Sequence, residues 1–282
     1  MYIGIKLNKL RLSVISAALA AAAALCVIVP CISGETADSP PVLYTVMYHG
    51  FTKNPDRQND YMIDPAFLEE DLEYLRDNGY ETVTVSDLES YFSKGTPLPQ
   101  KPVMLTFDDG YYSNYLYAFP LLRKYGFKAM LSPIGKACAD EKNGRQNEFY
   151  SQCTMEQLKG MFGSGIFEPA YHSYDLHCIS DGVQGVQKKN GETENEYSAR
   201  LRRDIEAFRS LMHDGANAQV SCFTYPFGAK SEGTEKIIRE EGFTAAMDCE
   251  EKPTALSSPE ELYHIHRYLR PNGGTLKEIM KI

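Results

Sequence analysis

LRKYGFKAML, residues 122–131, reads as the last turn of a helix, a glycine, an aromatic residue and the opening of a β-strand. Glycine just past a helix suits the left-handed cap that ends it, because no Cβ penalises the positive φ. The same phrase recurs as LRDNGYETVTV at 75–85, MFGSGIFEPAY at 161–171 and IREEGFTAAM at 238–247. Helices that hand over to strands in this way predict right-handed βαβ units and a parallel sheet. Further strands are expected at 42–48, 103–107 and 220–225, and helices at 65–78, 114–125, 155–162, 196–213 and 231–241. About seven strands with interleaved helices in about 240 residues suit one α/β barrel better than two domains. An open doubly wound sheet is the alternative, but no GxGxxG motif follows the first strand.

The chain of 282 residues is 43% hydrophobic and 24% charged, a globular balance, and its net charge of −9 argues against nucleic acid as the main partner. Residues 1–34 stand apart, since Lys6, Lys9 and Arg11 precede a run without charge from Leu12 to Ser33. Such a segment is an export signal, and it is also long enough to stay as a membrane anchor. Its basic flank would keep the N-terminus inside and set the domain outside the cytoplasm. Residues 35–41, ETADSPP, read as a linker, which leaves 42–282 as the domain. Five cysteines lie beyond the apolar run, and Cys138 and Cys153 bracket a polar insertion, so they are the first pair to consider for a disulfide. No CxxC spacing occurs, which removes the usual thiolate zinc site. Oligomeric state is not legible here.

In either architecture chemistry collects at the carboxyl ends of the strands. His49 falls just past the first expected strand, Asp108 and Asp109 just past another, His172 at the end of a third and Pro226–Gly228 past a fourth. Asp-Asp-Gly alone is a good turn, and one histidine alone is commonly a surface residue. Asp, His and His at strand ends form a far more specific set. One carboxylate and two neutral imidazoles suit zinc with a position left for water, and a neighbouring carboxylate could take that water's proton. In AYHSYDLHC, 170–178, His172 and His177 are five apart, a spacing that neither a helix nor a flat strand brings to one side. The backbone must bend between them. Asp175, inside that bend, is expected either to orient a histidine or to cap the turn.

TFDDG at 106–110, followed by HSYDLH at 172–177 and YPFG at 225–228, resembles the polysaccharide deacetylase (NodB-homology) family, carbohydrate esterase family 4. The likeness covers roughly residues 42–270, and TFDDG is its most specific motif. The resemblance implies a distorted (β/α)7 barrel with parallel strands and a divalent metal, zinc first, with cobalt, nickel or manganese as alternatives. It further implies Asp108 as general base, and Asp109, His172 and His177 as metal ligands. Phe227 would supply an oxyanion-binding amide, with Tyr225 beside it at the substrate. The substrate would be an N-acetylated polysaccharide, met outside the cytoplasm.

Two departures refine this. Many members space the histidines HxxxH, whereas HxxxxH here is similar to enzymes acting on poly-β-1,6-N-acetylglucosamine. Those also resemble this chain at Tyr48-His49, which implies His49 as general acid, with His266 in reserve. Many members carry an arginine where this chain has Thr224, and LYHIHRYLR matches no general-acid motif; His264 and His266 read as strand positions facing one side. The competing readings are an O-acetyl esterase on a polymer such as xylan and a catalytically silent, membrane-tethered glycan-binding protein.

Overall fold

The computed structural model describes residues 39–282 apart from 143 and 181, so the signal or anchor expected at 1–34 and most of the linker at 35–41 lie outside the described residues. Strand β1, Val42–Tyr48, pairs in parallel with β2, Pro102–Asp109, over Tyr44–Tyr48 and Val103–Phe107. All eight residues of β2 are buried, as befits a parallel strand covered on both faces. Strands β3, Ala129–Pro133, β4, Phe167–Tyr171, β5, Cys222–Thr224, and β6, Ala245–Met247, follow in order, each parallel to the last. The ring returns to its start through a parallel bridge from Met247 to Ile265 and strand β7, Tyr268–Leu269, beside Val46 and Met47.

This is the distorted parallel α/β barrel that the repeat implies. Its closing segment is the least regular part: among the described residues its parallel pairing rests on Ile265, Tyr268 and Leu269. Thr254–Ala255 adds one antiparallel strand beside the start of β1.

The repeated glycines behave as expected: Gly79, Gly126, Gly165 and Gly242 have φ of 71°, 73°, 71° and 76°. Helices α1, Pro65–Asp77, α2, Val85–Lys94, and α3, Phe119–Tyr125, pack outside β1–β3. Later come α4, Gly135–Asp140, α5, Met155–Gly163, α6, Glu194–Ala216, α7, Thr234–Glu240, and α8, Leu276–Met280.

The first repeat departs from expectation. Only Glu81–Thr82 are strand, and Val85 opens α2, because Thr84 and Asp87 form a reciprocal capping box. Asn114–Ala118 is a π-helical turn ahead of α3 rather than α-helix. Cys138 and Cys153 are buried free thiols, not a disulfide: Cys153 donates to the Tyr111 carbonyl at 3.3 Å, and Cys138 points at the Gly110 carbonyl.

Candidate active site

The carboxyl ends of the strands open into a cavity of about 670 Å³ that His49, Asp108, Asp109, His172, His177 and Phe227 all line. Tyr225 also lines it, with its ring fully buried and its hydroxyl unpartnered. β2 carries its two acids past the last buried aliphatics. There the backbone turns sharply, Asp109 taking φ of 66° and Gly110 φ of 77°. A Cβ on Gly110 would lie 2.7 Å from that of Pro133, so only glycine fits. Ser173 and Phe227 also have positive φ, at 78° and 60°, whereas the other two such non-glycine residues among those described, Asn217 and Lys281, merely cap helices. Backbone strain is thus gathered at the cavity, a pattern common to functional sites.

The bend between the two histidines has an anchor that the sequence did not advertise. Buried Asp204 of α6 accepts the Tyr174 amide at 2.7 Å, the Asp175 amide at 2.9 Å and the Tyr171 hydroxyl at 2.6 Å. With Ser173 in the left-handed region, the chain folds back and His177 returns to His172, ring centroids 5.0 Å apart. Asp175 itself points outward to Lys136, and orients neither histidine.

Both Nε2 atoms lie 3.5 Å from Asp109 Oδ1, and the ligand-type atoms of the three residues fall within 4.8 Å of one another. That is too long for a hydrogen bond. It does match the roughly 3.4 Å between two ligands that each stand about 2.0–2.1 Å from a tetrahedral metal. Asp109 Oδ1 is buried without any hydrogen-bond partner. His172 Nδ1 contacts the Thr224 carbonyl at 3.1 Å, which sets the proton on Nδ1 and turns the Nε2 lone pair inward. Burial lowers the His172 pKa to about 3, keeping the ring neutral. Burial, reinforced by adjacent Asp108, raises Asp109 to about 6. A buried carboxylate oxygen without a donor, facing two neutral imidazoles, is part of a ligand set that a divalent cation fits.

Asp108 is held quite differently. Burial would raise its carboxyl, but Arg267 foremost, together with His172 and His49, outweighs it and brings the pKa down to about 2. Arg267 is fully buried, with Nη1 2.8 Å from Asp108 Oδ1 and Nε donating to the Asp248 carbonyl at 2.9 Å. This guanidinium arrives from the closing segment, just before β7. Thr224, the position where an arginine was missing, instead bonds Ser132 at 2.8 Å. Arg267 escaped the sequence reading, although a fully buried charge beside a short strand does ask for a carboxylate.

His49 meets the edge of the Tyr61 ring at 4.9 Å, and its Nδ1 is buried and unpartnered. His266 does not line the cavity; its Nδ1 is bound to Asp248 at 2.9 Å. His264 ends a 3-10 turn rather than sharing a strand face with it.

The family model for polysaccharide deacetylases matches residues 95–246. The Bacillus subtilis (strain 168) protein YxkH, named for the same family, is 28% identical over 230 residues, covering 82% of this chain and 72% of that one. The poly-β-1,6-N-acetyl-D-glucosamine N-deacetylase of Escherichia coli (strain K12) is 25% identical over 253 residues; the match takes in 83% of this chain and spans 37% of that enzyme. A solved de-N-acetylase from Aggregatibacter actinomycetemcomitans shares the fold, with a TM-score of 0.68 at 21% identity over 81% of this chain and 95% of that one.

Proposed function

The chain belongs to the polysaccharide deacetylase family, and we propose that it hydrolyses N-acetyl groups on the N-acetylglucosamine units of an extracytoplasmic polysaccharide, poly-β-1,6-N-acetylglucosamine first. The observation that carries this reading is the pairing of unlike acids. Asp109 faces two neutral imidazoles, while Asp108, one residue away, is pinned ionised by Arg267. The histidine spacing and the E. coli relative support the choice of polymer.

Asp109, His172 and His177 would hold a divalent metal, zinc or else cobalt, nickel or manganese. Bound there, it would acidify a water and polarise the acetyl carbonyl. Asp108 accepts the proton from the attacking water, and Arg267 keeps that carboxylate charged and aimed. His49 donates a proton to the departing sugar nitrogen as the C–N bond breaks, giving acetate and a free amine. The Phe227 amide, on the strained turn after β5, is the proposed hydrogen-bond donor to the developing oxyanion, and buried Tyr225 shapes the wall beside it. Residues 1–34 would export the domain or tether it to the membrane.

The decisive assay measures acetate release from a β-1,6-linked N-acetylglucosamine oligomer and from acetylated xylan, with and without a chelator. Release from the oligomer, abolished by chelation and restored by zinc, is expected. Release from the xylan alone would replace this reading with an O-acetyl esterase, and release from neither with a silent glycan binder.

A further inference from the structure

The proposed acid is aimed without help from its Nδ1 atom, which is buried and unpartnered. The place of the His49 ring therefore rests on the backbone that carries it. That backbone is a loop that leaves β1 and returns at Met62–Ile63, which pairs with Gly50–Phe51.

Two anchors reach this loop from elsewhere in the chain. Ser113, just past the Asp109–Gly110 turn, accepts the Phe51 amide at 2.9 Å in the interior. Glu148 takes the next two groups. Its Oε1 accepts the Thr52 hydroxyl at 2.7 Å and the Lys53 amide at 3.1 Å, and its Oε2 accepts the Tyr117 hydroxyl. Burial would raise the Glu148 carboxyl, but the Thr52 and Tyr117 hydroxyls and the Lys53 amide outweigh it and lower it. These bonds are thus charge-assisted, stronger than neutral ones. Thr52 is buried and extends the contact by accepting the Asn54 amide at 3.2 Å.

Glu148 itself is half-buried and belongs to the polar insertion. A few residues on, the same insertion reaches the other side of the site. The Ser151 carbonyl accepts the Tyr112 amide, and the Cys153 amide donates to the Gly110 carbonyl, each at 2.8 Å. One short segment, 148–153, touches both the loop of the proposed acid and the turn of the two aspartates.

We infer that Glu148 is a positioning residue, which clamps the His49 loop to the segment bracing the Asp108–Asp109 turn and so fixes the proton donor against the reacting group. This rests on the deacetylase reading for the role of His49. A misplacement of about 1 Å can cost about 10²-fold in rate, so a clamp on the loop has a catalytic effect larger than its share of stability.

The leaving group separates positioning from folding. An acetamide needs a proton on nitrogen as its C–N bond breaks, whereas the phenolate of 4-nitrophenyl acetate leaves without one. Glu148→Ala should lower kcat on a β-1,6-linked N-acetylglucosamine oligomer about tenfold with KM within about twofold, and should change turnover of the aryl ester less than about twofold. Glu148→Gln keeps an oxygen for Thr52 and Lys53 and should recover most of the loss. In a His49→Ala background, Glu148→Ala should cost less than about twofold more on the oligomer, because the two act as a unit. Equal losses on the two substrates, or the full tenfold loss again without His49, overturn the inference. The His49 imidazole signal in NMR needs no turnover: it should shift or broaden in Glu148→Ala while those of His172 and His177 stay in place. An unchanged His49 signal overturns the clamp. A changed signal in a chain whose wild type releases no acetate supports the clamp and overturns only the catalytic reading.

Discussion

Two buried arginines, three residues apart at either end of β7, do opposite work. Arg270 is saturated. Its guanidinium meets both oxygens of Asp71 at 2.6 and 3.2 Å and the carbonyls of Pro271 and Gly273 at 2.6 and 2.8 Å. Asp71 also accepts the Tyr48 hydroxyl at 2.9 Å, so both of its oxygens are engaged. Arg267 binds only one oxygen of its acid, Asp108, and that acid lines the cavity. The two acids answer accordingly. Burial raises Asp71 despite its arginine, whereas Arg267 holds Asp108 down at about 2. A buried ion pair with both carboxylate oxygens engaged ties α1 to the closing strand; one with an oxygen to spare can take a proton.

Exchanging either acid or arginine should separate these roles. Asp108→Asn is expected to cut acetate release about 10²- to 10⁴-fold, the range for losing a positioned base, measured as kcat on the oligomer. Activity above a tenth of wild type would mean that Asp108 is not the proton acceptor. Arg270→Ala removes the sole cation beside Asp71 among the described contacts and frees its carbonyl partners. Stability should fall by about 3–5 kcal/mol in denaturant titration, with kcat per folded molecule unchanged. A stable Arg270→Ala with poor kcat would erase the contrast.

This contrast shows where the sequence is legible. Glycine caps and alternating helices and strands are local, so the barrel could be read from phrases ten residues long. The candidate ligands at the ends of strands followed from the same logic, because a parallel sheet aligns those ends. Arg267 and Asp204 are different. Arg267 reaches Asp108 across 159 positions, and Asp204 holds the His172–His177 bend from a helix some 30 residues on. Nothing in the local pattern distinguishes a helix aspartate that caps a remote bend from one that faces water. The Thr84–Asp87 capping box is the converse: a local signal that overrode an expected strand.

Acid titration sharpens the pair further. Asp108 has its folded pKa lowered to about 2, so as pH falls the unfolded chain takes up this proton first. The stability it contributes is full above the unfolded value and is lost between about pH 5 and pH 2, amounting to about 2.5 kcal/mol. Asp71, raised by burial, contributes with the opposite sign and loses nothing on acidification. Wild type should therefore lose more stability across this window than Asp108→Asn, which keeps only the share of the other lowered carboxylates such as Glu192. Parallel pH profiles for the two proteins would place the pairing energy elsewhere.

The smallest effect concerns how the Asp109 side is held, since no arginine serves there. Its strained turn hangs on carbonyl bonds instead. The Asp109 carbonyl accepts the Ile134 amide at 3.1 Å, and that of Gly110 accepts the Cys153 amide at 2.8 Å. Gln152, with its side-chain amide turned to donate, reaches the same two carbonyls at 2.8 and 3.1 Å. The polar insertion thus returns as a strap across the turn. Gln152→Leu removes two of four donors and leaves the backbone pair, so the turn should loosen rather than collapse. At about 1 kcal/mol for a neutral hydrogen bond, zinc should bind about five- to tenfold more weakly in chelator competition, with little change in unfolding temperature. Unchanged affinity would show that the two backbone amides alone set the ligand carboxylate. A larger fall in stability than in affinity would make the strap part of the barrel, as Arg270 is, and not part of the site.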